Sequence, residues 1–267
     1  MKKQPHFIKI KNFVPSKKMG QNFLTDDNIA RSIVNLINVA EYDLVIEIGP
    51  GGGALTQYLI QFNRKVIAVE LDKRLAEQLR HKFSRYVNLQ IINDDILEID
   101  WIALTKPFKR VVLVSNLPYS ISTPMILQFL KQDKVLIFYC MLQQELVDRL
   151  IAKPGTKNYG SISVLVQFYT TISKLLNVAP QSFTPCPKVE SNVIVMNKLQ
   201  QTFDEHWAKF IRQCFAYKRK TLVNNLKSIY PVHRIQHNLQ KLNIVCTIRS
   251  EQLPIATLWE LYLGLQK

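Results

Sequence analysis

The chain has 267 residues, 47% of them hydrophobic, with 12 Pro and 8 Gly, enough for one large domain or one with a small companion and not the composition of a disordered or low-complexity chain. No apolar run reaches the roughly 18 to 20 residues of a membrane span, and residues 1–20 carry lysines without the apolar stretch of a signal peptide; a soluble, unprocessed, cytoplasmic protein with no membrane partner is expected. The four cysteines, Cys140, Cys186, Cys214 and Cys246, are at least 28 residues apart and form no CxxC or Cys/His cluster. Neither a disulfide framework nor a metal site is indicated, and the thiols are expected to be reduced and buried.

The net charge of +15 gathers at the two ends: residues 1–20 hold six Lys and no acid, residues 198–267 hold eleven Lys/Arg against four Asp/Glu, and the 177 residues between are nearly neutral at eighteen against sixteen. Basic ends on a neutral body predict a polyanion-binding surface attached to a catalytic core, with nucleic acid as the leading partner. The N-terminal lysines, among them Lys17 and Lys18, and the run Lys218-Arg219-Lys220 are the expected phosphate contacts.

In chain order, short β-rich apolar runs at Leu44–Ile48, Lys65–Val69, Leu89–Ile92, Arg110–Val114 and Val135–Met141 alternate with amphipathic helical patterns at Leu55–Phe62, Lys73–Phe83 and Pro124–Lys131. Such βαβ alternation predicts a parallel sheet with helices on both faces. A helix-like Ser161–Tyr169, a β-rich Thr170–Val178, a Pro-rich loop and Asn192–Asn197 then predict two strands ending the sheet as a hairpin, one of them antiparallel. After residue 198 only helical patterns recur, around Asp204–Tyr217, Lys220–Ile229, Arg234–Leu242 and Pro254–Leu265, with Ser250 as the expected cap of the last. The expected class is α/β, a Rossmann-like sheet with an antiparallel terminal hairpin and a small all-α C-terminal domain. The expected divisions are a basic segment 1–20, a sheet domain 21–197 and a helical domain 198–267.

Four motifs carry chemistry. Val45 to Thr56, V-I-E-I-G-P-G-G-G-A-L-T, runs a buried strand into a glycine-rich turn where a ligand can approach the backbone. Pro50 removes an N–H that a pyrophosphate would use, and Glu47 sets a carboxylate nearby; both suit a cation such as S-adenosylmethionine, which carries an ammonium and a sulfonium. Glu70, 21 residues after Gly49, ends the next strand where a carboxylate can accept both ribose hydroxyls. Asp72 is better placed at the start of the following helix, where an acid suits the dipole. Asn93-Asp94-Asp95 follows the third strand, where an Asp can accept from an adenine amine. Asn116-Leu117-Pro118-Tyr119 closes the fourth strand. Adenine's exocyclic amine is a poor nucleophile because its lone pair is delocalised; an Asn carbonyl and a backbone carbonyl accepting its N–H groups favour a pyramidal, nucleophilic nitrogen, while Pro118 stiffens the corner and Tyr119 offers a stacking face.

These residues, with Gly20-Gln21-Asn22-Phe23-Leu24, Tyr159 to Val164, Phe183-Thr184-Pro185-Cys186-Pro187-Lys188-Val189-Glu190-Ser191 and Lys218 to Leu222, closely resemble the ribosomal RNA adenine N6,N6-dimethyltransferases from about residue 17 to 265. The nearer branch is the bacterial kasugamycin-sensitivity type, which dimethylates two adjacent adenosines in the 3′-terminal hairpin of small-subunit (16S) rRNA; the more distant is the large-subunit (23S) macrolide-resistance type. A non-catalytic RNA-binding assembly factor on the same scaffold is a third alternative. The resemblance implies that Asn22 and Leu24 cover the methionine end of S-adenosylmethionine and Gly49 lines it. It further implies that Glu70 holds the ribose, Asp95 the adenine amine, and Asn116 both cofactor and target amine, with Phe183 closing over the base opposite Tyr119. The implied partner is small-subunit rRNA in an immature ribosomal particle, bound by a monomer. One departure is that the family's Gly-Asp-Ala-Leu loop reads Asp94-Asp95-Ile96-Leu97 here.

Overall fold

The computed structural model describes residues 21–266, so Lys17 and Lys18 lie outside it. The described residues divide into two compact units, one running up to Gln144 and joined by Ile172–Lys198, the other Glu145–Thr171 with the chain from Leu199 onward. The first unit begins with the short strand β1 (Phe23–Leu24) and helix α1 (Asp27–Asn35). The side chain of Asp26 caps α1 by accepting from the N–H groups of Asn28 at 3.0 Å and Ile29 at 3.2 Å. Then come β2 (Leu44–Ile48), α2 (Thr56–Leu59), β3 (Lys65–Glu70), α3 (Lys73–Lys82) and β4 (Leu89–Asn93), followed by α4 (Trp101–Thr105), β5 (Val111–Asn116), α5 (Ser122–Lys131) and β6 (Val135–Gln143).

The seven-stranded sheet of this unit has the order β4-β3-β2-β5-β6-β9-β7, completed by β7 (Thr170–Val178) and β9 (Ser191–Lys198). The five strands β2 to β6 run parallel, and β9 is antiparallel to β6. All five residues of β2 are buried, as a central parallel strand covered on both faces requires. The order reverses between β2 and β5, so the carboxyl ends of β3, β2 and β5 open onto a crevice where a ligand is expected in such sheets. Register carries Glu70, Ile48 and Asn116 to that end together: Ile48 lies opposite Val69 and Ser115, each one residue short of the acid and the amide.

A separate two-stranded antiparallel sheet joins β1 to β8 (Phe183–Thr184), with Leu24 opposite Phe183. Two residues a side leave no periodicity to read, and the sequence expectations contained neither this sheet nor α1 and α4. Of the cysteines, Cys140 and Cys214 are buried, but Cys186 and Cys246 are exposed, contrary to the expectation of four buried thiols. Among the described residues no helix is long and apolar enough to cross a membrane.

The second unit contains α6 (Gln144–Leu150) from Glu145 onward, α7 (Ser161–Tyr169), α8 (Glu205–Cys214), α9 (Leu222–Leu226), α10 (Val232–Lys241) and α11 (Ile255–Gln266). The sequence reading put α7 with the sheet domain; it groups instead with the helices because its aromatic end belongs to their core. Phe168 lies 5.1 Å from Trp207 and 4.9 Å from Trp259 between ring centroids, and Trp207 is fully buried. Ser250 is not the cap of α11. It heads a short 3-10 turn, and its hydroxyl donates to the Cys214 carbonyl at 2.5 Å, while α11 starts after Pro254.

The same Cys214 carbonyl receives the Asn225 amide at 2.6 Å; that side chain, 2% exposed, also donates to the Tyr217 carbonyl at 3.3 Å and accepts from the Tyr217 N–H at 3.2 Å. One buried amide thus pins the turn that leads into Lys218-Arg219-Lys220. Replacing it by the similarly sized Leu orphans the Tyr217 N–H and takes one donor each from the Cys214 and Tyr217 carbonyls, which keep the Ser250 hydroxyl and the Lys220 N–H, so Asn225→Leu is expected to cost about 1–3 kcal/mol in denaturant unfolding. Hydrogen exchange should rise first at residues 215–220, and unchanged exchange there would contradict the pinning role.

Candidate active site

The crevice at the carboxyl end of β2 is a cavity of about 240 Å³. The turn after β2 gives it its floor. Gly49, Gly51 and Gly53 have φ of 61°, 56° and 80°, in the left-handed region that side chains disfavour. Space compounds the requirement: a Cβ on Gly51 would fall 2.9 Å from Phe23 Cδ1, and one on Gly53 2.8 Å from Phe83 Cε2. The turn therefore lies against β1 on one side and against the last turn of α3 on the other.

Three acids organise this floor. Glu70, 5% exposed, accepts from the Gly51 N–H at 3.0 Å through one carboxylate oxygen and from the Asp72 N–H at 2.9 Å through the other. Burial raises its pKa, and these backbone bonds oppose the rise. Glu47, 2% exposed, accepts from the Thr56 hydroxyl at 2.6 Å. Burial pushes its pKa up to about 7 against that hydrogen bond, the charge of Glu70 pushes the same way and that of Lys82 opposes. Asp72 caps α3 by accepting from the Arg74 N–H at 3.0 Å and pairs with the Arg74 guanidinium at 2.7 Å, which holds its carboxyl below the usual range.

At the end of β5, the Asn116 amide nitrogen donates to the Asn22 carbonyl at 3.0 Å, which turns its own carbonyl oxygen away as a fixed acceptor. The Pro118 carbonyl is occupied by two donors at 3.1 Å, the Ile121 N–H and the Ser122 hydroxyl. No donor among the described residues engages the Leu117 carbonyl.

The cavity lining brings together Asn22, Leu24, Gly49, Glu70, Asp95, Asn116, Leu117, Pro118 and Tyr119. Phe183 is not among the lining residues. It is 4% exposed, in the core behind β1, opposite Leu24. Asp95 reaches the rim, with one carboxylate oxygen accepting from its own loop's Leu97 N–H at 2.9 Å, and Asp94 takes the Asp95 N–H at 2.8 Å. Asp94 thus closes a local turn with its side chain where the family has glycine. The sequence reading missed the Thr56 partner of Glu47, the apolar lining residues Leu71 and Ile96, and Lys82, whose ammonium donates to the Gly52 carbonyl at 3.4 Å. Of these, only the position of Thr56 on the first turn of α2 was readable from spacing. Lys218, Arg219 and Lys220 are exposed in the helical unit, with the Lys218 ammonium donating to the Lys157 carbonyl at 2.7 Å.

Residues 12–267 match the family described as ribosomal RNA adenine dimethylase. The ribosomal RNA small subunit methyltransferase A of Ureaplasma urealyticum is 38% identical over 269 residues, covering 97% of this chain and 95% of that protein. Its counterpart from Malacoplasma penetrans is 40% identical over 251 residues, covering 92% and 90%. A dimethyladenosine transferase from Plasmodium falciparum superposes with a TM-score of 0.75 at 26% identity, over 91% of this chain and 97% of that one. The 23S rRNA methyltransferase ErmE shares the fold, with a TM-score of 0.67 at 23% identity over 92% of this chain and all of its own. By sequence along almost its whole length and by fold, the chain belongs to the ribosomal RNA adenine dimethylase family and is an S-adenosylmethionine-dependent rRNA adenine dimethyltransferase.

Proposed function

We propose that the chain methylates N6 of two adjacent adenosines in the 3′-terminal hairpin of small-subunit rRNA, acting in the cytoplasm as a single copy on an immature small-subunit particle. The names of its relatives favour the small subunit over the large. The observation that carries the chemistry is the charge of the cavity: among the described residues Glu47, Glu70, Asp94 and Asp95 line it and no Lys, Arg or His does. Such a lining repels the phosphates of a dinucleotide and favours a ligand with an ammonium and a sulfonium. The cofactor, when bound, supplies an electrophilic methyl group at that sulfonium.

In this reading Asn22, Leu24 and Gly49 enclose the methionine end, Glu70 accepts the ribose hydroxyls, and Asp95 receives the adenine amine between Leu71 and Ile96. The target amine donates its two N–H groups to the Asn116 side-chain oxygen and to the Leu117 carbonyl, the backbone acceptor that Pro118 and its two donors leave available. That pairing directs the nitrogen lone pair out of the ring plane, toward the methyl carbon. The proton lost on methylation passes to water, and no side chain is required as a strong base. Pro118 holds the corner rigid, and Tyr119 stacks on the extruded base. Phe183, one strand behind, reaches the base only with its ring swung out of the core. On the RNA side, Lys17, Lys18, Lys218, Arg219 and Lys220 contact phosphates.

Single-turnover methyl transfer to immature small subunits, with large-subunit rRNA as the competing substrate, tests the reading directly; transfer to the large subunit alone would reverse it. Glu70→Gln should weaken cofactor binding about tenfold, equivalent to about 1.4 kcal/mol, measured by calorimetry on the folded variant. Asn116→Ala should lower the single-turnover rate by about a hundredfold or more at saturating cofactor, with RNA affinity little changed. Phe183→Leu preserves packing while removing the ring; lost transfer with normal stability assigns that ring to the base, and normal transfer leaves stacking to Tyr119. Changing Lys218, Arg219 and Lys220 together to Gln should lower the log-log salt slope of particle binding by about 0.7–0.9 for each phosphate no longer neutralised, with cofactor affinity unchanged.

A further inference from the structure

Helix α8 ends at Cys214, and the chain then enters the turn that the Asn225 amide pins. At the head of that turn stands Tyr217, 65% exposed, the most exposed Phe, Tyr or Trp among the described residues. Every other described aromatic of the helical unit lies within 6.3 Å of a second ring, centroid to centroid. Tyr217 makes neither a ring contact nor a side-chain hydrogen bond with a described residue. Its backbone, by contrast, is held three times: the N–H donates to the Asn225 side chain at 3.2 Å, and the carbonyl accepts from Asn225 at 3.3 Å and from the Lys220 N–H at 3.0 Å. The last bond closes a turn over residues 217–220, so one fixed turn carries an exposed ring and three exposed cations. None of the three cations pairs with a described carboxylate, and Lys218 reaches only the Lys157 carbonyl, at 2.7 Å. We propose that Tyr217 is a base-stacking residue, which packs on an unpaired nucleobase of the rRNA while Lys218, Arg219 and Lys220 contact the phosphates beside it. The inference rests on the phosphate reading of those cations and deepens it, from charge alone to the kind of RNA that the turn accepts.

Phosphate contacts position a protein on RNA but carry no sequence information, because every nucleotide offers the same group. A ring adds a contact of another kind. A nucleobase presents a flat, weakly hydrated face, and stacking it on a phenol ring removes both surfaces from water. Only an unstacked base can offer that face, since in a continuous A-form duplex each base is covered by its neighbours. The turn therefore selects a loop, bulge or strand end over duplex RNA. Binding orders little in the protein, because the Asn225 bonds fix the backbone before RNA arrives and a Tyr side chain has few rotatable bonds. Tyr217 is not among the residues lining the cavity, so this base is one other than the adenosine being methylated.

The test is equilibrium binding of the full chain over a range of salt concentrations to immature small-subunit particles and to two RNA probes of the same strand length, a single strand and a continuous duplex. The proteins compared are wild type, Tyr217→Phe, Tyr217→Ser and the variant with Lys218, Arg219 and Lys220 all changed to Gln. Asn225 holds only the backbone at position 217, so the turn survives either substitution there, which hydrogen exchange at residues 215–220 checks. Tyr217→Ser should weaken binding to the particle and to the single strand by about five- to a hundredfold at fixed salt, with the salt slope and the duplex affinity of wild type. Tyr217→Phe keeps the stacking face and should bind as wild type does. The triple variant should do the reverse of Tyr217→Ser, lowering the salt slope on every RNA. Wild-type affinity of Tyr217→Ser for the particle, or an equal loss on duplex and single strand, overturns the inference while the phosphate reading stands on the slope of the triple variant. Binding by Tyr217→Phe as weak as that of Tyr217→Ser also overturns it, because the contact then belongs to the hydroxyl. A wild-type slope in the triple variant removes the phosphate reading itself, and this inference with it.

Discussion

The geometry of the active site depends on one carboxylate gripping two pieces of backbone. Glu70 accepts the Gly51 N–H with one oxygen and the Asp72 N–H with the other, tying the turn after β2 to the exit of β3. Without that clasp, a turn whose glycines sit in the left-handed region would have no reason to settle in one arrangement. With it, the turn is pressed between Phe23 and Phe83, Thr56 is set over Glu47, and the floor of the cavity is defined before any ligand arrives. The carboxylate proposed to hold a ribose is thus also a structural tie. Preorganisation of this kind reduces the ordering cost that binding would otherwise carry.

A second constraint is electrostatic. The enzyme must handle a cationic methyl donor and a polyanionic RNA, and one surface cannot attract both. The chain offers separate places for the two tasks: among the described residues the cavity lining is acidic without a basic member, whereas Lys and Arg are concentrated in residues 1–20 and 198–267 of the sequence. The near neutrality of the residues between is therefore a sum of unlike parts. It conceals an anionic pocket that composition alone does not display.

The parallel strands, α3, α5, α7 and the C-terminal helices were legible in the sequence because each spans enough residues for periodicity to show. β2 even begins and ends where its apolar run does, at Leu44 and Ile48. Of the nine cavity residues named above, Gly49, Glu70, Asp95 and Asn116 to Tyr119 were legible from places at or just past strand ends, where a parallel sheet delivers its functional groups, whereas Asn22 and Leu24 came from the family resemblance alone. What escaped was set by contacts distant in sequence. The pairing of β1 with β8 joins residues about 160 apart through two positions on each side; α7 follows its aromatic face into the helical unit; and Phe183, recognisable by motif, is enclosed by the core rather than exposed to the cavity. Lys82 carries no motif at all, and only the fold brings α3 back against the turn.

The bond between the Asn116 amide and the carbonyl of Asn22 has an evolutionary implication. Its acceptor is a peptide oxygen, which every amino acid supplies, so no substitution of the side chain at position 22 deletes it. Selection can act on it only through what fixes the path of the strand, the pairing of Phe23 with Thr184 and of Leu24 with Phe183. Comparison of related sequences would therefore credit those neighbours with a constraint whose beneficiary is the amide proposed to receive the target amine.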